Sequence, residues 1–298
     1  MAEDRRPWTH HRRMEFIEWK LFWEGLLNRS DLEQVFNIST PQASVDLRQY
    51  REVAGDNIAY NPSDKGFLPG PNMKPQFLKV SANRLLLQLR AWLTGALPRQ
   101  DLWFKVIPAV DMAPDIARNV EPECLRRILR AIRNRESIEI HYQSLTNSRW
   151  REVAPHALAF DGYRWHMRAW ACDRHSFRDF VLSRISEIGQ SGTANYDPSD
   201  DIEWNSTITL ELHPHPGLTE EQALAIQRDF DMVEGKREIE VRLSMAYYFI
   251  KRMNLDIDLE PSRAQICLVN LEGVQEAVAN AEAESKRRIA ERISASSG

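Results

Sequence analysis

The sequence predicts an α+β fold in three parts: an N-terminal winged helix-turn-helix, a small β-barrel and a C-terminal α/β layer. Three observations predict it. Apolar residues recur at three- and four-residue spacing over the N-terminal stretch, the period of amphipathic helices. The period shortens to two between Ile138 and Ile185, with turn dipeptides between the runs. Beyond these, strand-like and helix-like runs alternate toward the end of the chain. A length of 298 residues suits two or three domains of roughly 100–200 residues each.

The first helix is marked by Met14, Ile17 and Leu21 with Phe16, Trp19, Trp23 and Leu26, and breaks between Gly25 and Ser30. Ser30 is placed to cap a second helix, Asp31 to Phe36, with Glu33 at the capping-box position. The turn Asn37-Ile38-Ser39 leads to Thr40-Pro41, a cap followed by proline, and a third helix from Pro41 to about Val53. Ile58-Ala59-Tyr60 and Phe67-Leu68-Pro69 read as two strands around the turn Asn61 to Gly66. Three helices with a tight turn before the third, then a hairpin, describe a winged helix-turn-helix.

A linker over 69–76 precedes a helix from Phe77 to Leu97, with Leu78, Leu85, Leu89 and Trp92 on one side. Residues 98–122, punctuated by prolines, connect domains, and a helix from Glu123 to Asn134 follows. Ile138, Ile140 and Tyr142 then alternate with Glu139, His141 and Gln143. Further runs cover 151–160, 164–171 and 177–185, with Asp161-Gly162 as a hairpin turn. So many short strands in so little chain suggest a barrel. The last third reads as strands 206–212, 237–243 and 264–270 alternating with helices 219–229, 245–254 and 272–293. The expected domains are 1–75, 76–122, 123–192 and 193–298.

Composition removes several classes. A 43% hydrophobic share argues against a disordered chain. No apolar run approaches the roughly 18–20 residues that cross a bilayer, and the basic start has no signal-peptide pattern. The three cysteines, Cys124, Cys172 and Cys267, are far apart without metal-ligand spacing, as in a reduced cytosolic protein. A cytoplasmic protein without membrane partner, metal or cofactor is expected. No Gly-rich phosphate loop, nucleophile elbow or paired-carboxylate signature appears, so no enzymatic activity is expected. Net charge is −4, but unevenly spread. Residues 118–190 carry 13 arginines, no lysine and 9 acids, whereas 191–298 carry 11 basic and 20 acidic groups. Arginine's planar fork grips phosphate or carboxylate bidentately.

Two places carry candidate chemistry. With Ala43, Leu47, Tyr50 and Ala54 inward, the third helix turns Thr40, Gln42, Ser44, Val45, Arg48 and Gln49 outward. A short polar face of this kind reads base edges in a major groove, or is simply solvated. Lys65 at the hairpin tip is placed to meet phosphates, and Arg5, Arg6, Arg12 and Arg13 ahead of the first helix either do the same or form a frayed terminus. In the barrel, Arg164, His166 and Arg168 share one strand face, opposite Trp165, Met167 and Ala169. Arg178, Phe180, Leu182 and Arg184 likewise share a face.

The runs Ile138 to Ser144, Arg151 to Leu158, Asp161 to Ala169 and Phe177 to Ile185 together resemble a WYL domain. Trp165-His166-Met167 stands in place of the eponymous triplet, so His166 occupies the tyrosine position. Such domains are Sm-like barrels in bacterial transcription regulators, behind a winged helix and ahead of a C-terminal dimerisation extension; all three parts occur here in that order. The Trp-His form resembles the branch found beside anti-phage defence operons. The resemblance implies a dimeric repressor that binds a palindromic double-stranded DNA operator and senses a nucleotide or oligonucleotide. It implies a ligand site among His141, Tyr142, Ser144, Arg151, His156, His166, Arg168, Arg178 and Arg184. The rival expectation is a sensor subunit that acts through a protein partner without specific DNA binding.

Overall fold

The computed structural model describes residues 6–114, 116, 118–193 and 195–296. They form two compact units, Met1–Ile116 and Ala117–Gly298.

In the first unit, α1 (Arg6–Trp19) runs into one π-helical turn, Lys20–Glu24, and stops at Gly25, whose φ of 70° is left-handed. α2 (Arg29–Phe36) starts before Ser30. Asn28 is its cap, in a reciprocal box with Asp31, and the Asn28 N–H donates to Asp31 Oδ2 at 2.7 Å. Two boxes compete in this stretch, and the Asn28–Asp31 pair displaces the expected Ser30–Glu33 pair. α3 (Thr40–Ala54) is capped by Ser39 rather than Thr40, with Ser39 Oγ accepting from the Gln42 N–H. Its inward residues Ala43, Leu47, Tyr50 and Ala54 are all buried, against Phe16, Ile17 and Leu32.

The hairpin pairs β1 (Ile58–Asn61) with β2 (Gly66–Pro69), Asn61 opposite Gly66. Leu27 joins its edge through one isolated bridge, exchanging backbone bonds with Phe67 at 2.9 and 2.8 Å. A Cβ at Gly66 would lie 2.7 Å from Leu26 Cδ1 and 2.8 Å from Asn28 Oδ1, so both side chains would have to shift to admit one. The helix expected from Phe77 is α4 (Ala82–Leu93), begun by its cap Ser81. Residues 76–78 stay out of it because their N–H groups bond to Glu18. Residues 99–105, expected as connector, pack on this unit instead. Leu102 is buried, Trp103 meets Phe16 and Trp19 edge-on, and Phe104 meets Trp19.

The second unit opens with α5 (Pro122–Asn134). Five antiparallel strands follow: β3 (Ser137–Gln143), β4 (Ser148–Phe160), β5 (Trp165–Ala171), β6 (Ser176–Val181) and β7 (Ile185–Gly192). Their order is β6-β5-β4-β3-β7. A 3₁₀ turn, Leu182–Arg184, joins the two edge strands. The Tyr142 hydroxyl accepts the Val181 N–H at 3.2 Å and so ties β3 to the end of β6. Ile138, Ile140, Val153, Met167 and Phe180 fill the interior under Ile128 and Ala131 of α5.

The remainder runs α6 (Ile202–Asn205), β8 (Thr207–Pro214), α7 (Glu220–Asp229), β9 (Arg237–Arg242), α8 (Leu243–Arg252), β10 (Ile266–Leu268) and α9 (Leu271–Ser296). The sheet order is β10-β8-β9, antiparallel throughout. α9 belongs to two cores. Val274 packs with Leu210, Leu212 and Ile250, whereas Ile289 packs with Ala154, Trp170 and Phe177 of the barrel.

The polar face of β5 is not left to solvent: His166 and Arg168 are only 2% and 4% exposed. Residues 201–203 and α8 supply their partners and cover that face.

Candidate DNA interface and effector cavity

α3 is fixed on its inner side by Ala43, Leu47 and Tyr50, so register decides what it shows outward. Thr40, Gln42, Arg48 and Gln49 are exposed, Ser44 and Val45 half-buried. Several are already engaged. Gln42 Nε2 donates to Asp46 Oδ1 at 3.0 Å, Gln49 Oε1 lies 2.9 Å from His10 Nε2, and Ser44 Oγ donates to the Thr40 carbonyl. Among the described residues, no carboxylate lies within ion-pair distance of Arg48. Arg48 and Arg51 line a shallow depression of about 450 Å³ with Arg29 of α2 and Phe67 of β2. Sequence reading missed Arg29 and Arg51. Arg51, three residues after Arg48, was detectable by helical spacing; Arg29 was not, because only the fold brings α2 beside α3. Lys65 sits exposed in the hairpin turn with a left-handed φ of 48°.

The N-terminal arginines behave differently from expectation. Arg5 lies outside the described residues, as does the Arg6 side chain. Arg12 and Arg13 are inside α1, not ahead of it. Arg12 bonds Glu15 at 2.8 Å and covers the Trp103 ring at 4.2 Å. Arg13 grips Asp46 bidentately at 2.7 and 3.2 Å, pinning α1 to α3.

Behind α3, Glu18 is fully buried. Its carboxylate accepts the N–H groups of Gln76, Phe77 and Leu78 at 2.7, 2.7 and 2.6 Å, and the Tyr50 hydroxyl at 3.1 Å. Asn57 extends the network, exchanging bonds with Lys74 at 2.8 Å and donating to the Tyr50 oxygen at 3.3 Å. Burial pushes the Tyr50 phenol well above its usual range, with Glu18 adding to the effect. One carboxylate thus holds α1, the inner side of α3 and the segment that follows the hairpin.

In the second unit a cavity of about 470 Å³ lies along β6. The barrel contributes Tyr142, Arg151, Arg168, Arg174 and Arg178; the C-terminal part contributes Glu203, Tyr248, Glu282, Ser285 and Lys286. Phe177, Phe180 and Ile289 supply apolar wall.

Arg168 is the most constrained of these. Asp201 holds it bidentately at 2.8 Å twice, Glu203 at 2.9 Å and Asp179 at 3.4 Å. Burial works against its charge, but Asp201 and the other carboxylates outweigh that and raise its pKa further. Arg168 and then His156 hold Asp201 below the usual carboxylate range, although burial pushes the other way. Glu203 goes the other way: burial pushes it up, opposed by Arg168 and reinforced by Asp201 and Glu282. Tyr248 donates to Asp179 Oδ2 at 3.0 Å. Arg178 is exposed and bonds Ser176 Oγ at 3.1 Å. Arg151 meets Asp173 at 3.1 Å, and its buried Nε has no partner among the described residues.

Of the nine expected ligand residues, Tyr142, Arg151, Arg168 and Arg178 come together on this cavity, and five do not line it. His156 occupies a bulge of β4 and bonds Asp201 Oδ2 at 2.9 Å, its side chain 5% exposed. His166 bonds Asp161 Oδ2 at 2.9 Å and stacks 4.7 Å from Tyr248. His141 bonds Ser186 Oγ at 2.7 Å and Ser144 organises the β3–β4 turn, accepting the Asn147 N–H at 2.9 Å. Arg184 leaves the expected strand face because β6 ends at Val181 and the 3₁₀ turn redirects the chain. Tyr248, Glu282 and Lys286 were missed: no local pattern marks a helix residue that reaches a barrel far back in sequence.

Comparison with known proteins gives three matched segments. Residues 9–91 match the BrxR transcriptional regulator winged helix-turn-helix domain and 123–189 the WYL domain. Residues 207–274 match the BrxR transcriptional regulator C-terminal dimerization domain. A DNA-binding transcriptional repressor CapW of Stenotrophomonas maltophilia is 36% identical over 275 residues, 90% of this chain and 92% of that one. The CapW of Pseudomonas aeruginosa is 35% identical over 279 residues, 91% of this chain and 92% of its own length. The CapW of Escherichia coli strain KTE188 is 35% identical over 255 residues, 83% and 84% of the two chains. These relatives are repressors, a non-enzymatic function. Among the described residues no helix is long and apolar enough to cross a membrane. With all three domains matched in order and this identity along nearly its whole length, the chain belongs to the family of BrxR- and CapW-type WYL-domain transcriptional regulators.

Proposed function

We propose that the chain is a cytoplasmic, dimeric, sequence-specific DNA-binding repressor of an anti-phage defence operon, controlled by a nucleotide or oligonucleotide in the barrel cavity. The observation that carries the reading is the outward face of α3. Exposed polar donors, and an arginine with no carboxylate partner among the described residues, stand on a helix locked to the core. The relatives named as DNA-binding transcriptional repressors support it. Thr40, Gln42, Ser44, Val45, Arg48 and Gln49 read base edges, and Lys65 with Arg29 and Arg51 neutralise phosphates. A single winged helix contacts few bases, so two copies read a palindromic operator with matched symmetry.

For effector control the support is the cavity itself. Its volume falls within the roughly 300–1,000 Å³ of small-molecule sites. Five cationic side chains face three carboxylates on its wall, with two tyrosines and two phenylalanines alongside. That combination suits an aromatic base carrying phosphate.

A mobility shift with the chain's own upstream DNA, run across salt concentrations, tests the reading. Specific retardation of a palindrome, weakened in Arg48→Ala by about 1–3 kcal/mol, is expected. Sequence-blind binding that vanishes with salt would favour the sensor subunit instead.

A further inference from the structure

The cavity is walled on one side by α9, and α9 residues 275–296 lie beyond all three matched segments. We propose that Lys286 and Glu282 of α9 are specificity-determining residues of the effector site. On this proposal they select a ligand with a terminal phosphate monoester and report its arrival to the dimerization sheet. The inference rests on the effector reading above.

Three observations lead there. First, α9 is tied down on both sides of Lys286. Ser285 Oγ accepts the Ile202 N–H at 3.0 Å, Ile289 is buried on the barrel, and Arg292 bonds Asp200 at 2.7 Å. Lys286 is therefore held beside the cavity by the helix, not by chance rotation of a surface side chain.

Second, the charges around it are unevenly satisfied. Among the described residues, Lys286 has only Glu282 within ion-pair distance, 3.6 Å away and one turn back, with both side chains more than half exposed. Among the described residues, Arg174 and Arg178 on the same cavity have no carboxylate within ion-pair distance. Arg168, by contrast, is saturated by Asp201, Glu203 and Asp179. A dianionic phosphate entering the cavity thus finds three uncommitted or weakly held cations: Arg174, Arg178 and Lys286. Each has charge-assisted donors to offer.

Third, Glu282 acts on the cavity electrostatically. Its charge helps keep Glu203 above the usual carboxylate range, after burial and Asp201. A phosphate that draws Lys286 from Glu282 leaves that carboxylate repelled by the ligand and by Glu203. The relief available to the helix is a shift of α9. Val274 of the same helix is packed in the core that contains Leu210, Leu212 and Ile250. A shift at Lys286 is therefore felt three turns away, in the segment matched as the dimerization domain.

The test uses the full chain and 5′-phosphorylated dithymidylate as probe, with the unphosphorylated dinucleotide as its control, read by calorimetric titration. Wild type is expected to bind the phosphorylated probe at least tenfold more tightly than the control. Lys286→Glu should weaken that binding tenfold or more, and Glu282→Gln should strengthen it several-fold. Both side chains are largely exposed, so the melting temperature of the unliganded variants should barely move. Opposite signs from two neighbours on one helix support the proposal, since a merely structural wall would not give them. If both variants bind within twofold of wild type while Arg178→Ala abolishes binding, the effector site stands and the role of α9 is overturned. If wild type binds neither dinucleotide, the effector reading fails and this inference with it.

Discussion

The Glu18 network offers the most direct test of how the first unit is held together, through Glu18→Gln. The change preserves shape and removes one acceptor oxygen together with the charge. One carboxylate oxygen accepts from Phe77 and Leu78, the other from Gln76 and Tyr50. The glutamine amide satisfies one side best by facing its oxygen to Phe77 and Leu78, which turns its NH₂ on the Gln76 N–H. An N–H left unpaired there costs roughly 1–3 kcal/mol. The two retained bonds lose their charge assistance, roughly 0.5–1 kcal/mol each. The sum is about 2–5 kcal/mol, a large part of the ~5–15 kcal/mol stability of a typical domain. Urea unfolding followed by tryptophan fluorescence reads it, since Trp19 and Trp103 report on this unit. Hydrogen exchange should show the amides of residues 76–78 losing protection before the α3 amides do. A stability loss under about 0.5 kcal/mol, with those amides still protected, would refute the reasoning.

In the second unit, Arg168→Met should cost about 3–5 kcal/mol, because Asp201, Glu203 and Asp179 would be left without their cation. Adding Asp201→Asn should restore part of that loss; strict additivity in a denaturation cycle would count against one shared network. Glu203 has its folded pKa raised above the ordinary 4.5. Its contribution is therefore fully present below pH 4.5 and lost as pH rises through the folded value. Melting temperature measured upward from pH 4.5 should fall less steeply in Glu203→Gln than in wild type; parallel curves would contradict the assignment.

Local signals made much of the fold legible. Ala43, Leu47 and Tyr50 fix the inner side of α3 by spacing alone, and Asp161-Gly162 marks its hairpin by turn chemistry. Where two local solutions competed, as at Asn28 and Ser30, propensity did not choose between them; the chain entering from Leu27 did, because that residue is paired with Phe67. The cavity was half legible. Arg178 and Phe180 both line the cavity, but so do Phe177 and Asp179, and the strand was read four residues too long, which misplaced Arg184. His156 and Arg168 showed only that they were polar. What occupies them is Asp201, 45 and 33 residues further on, and nothing in either neighbourhood announces that meeting.

The burial of both faces of β5 has a consequence for anyone moving these parts between proteins. Cut at 123–189, the WYL segment would leave Arg168 and His156 stripped of Asp201, and Ala154, Trp170 and Phe177 stripped of Ile289. A graft bounded by the conventional domain would thus bring a buried cation and an apolar scar to its new host. The transplantable piece runs from α5 to the end of α9, and chimeras between relatives should be spliced ahead of α5 rather than after β7.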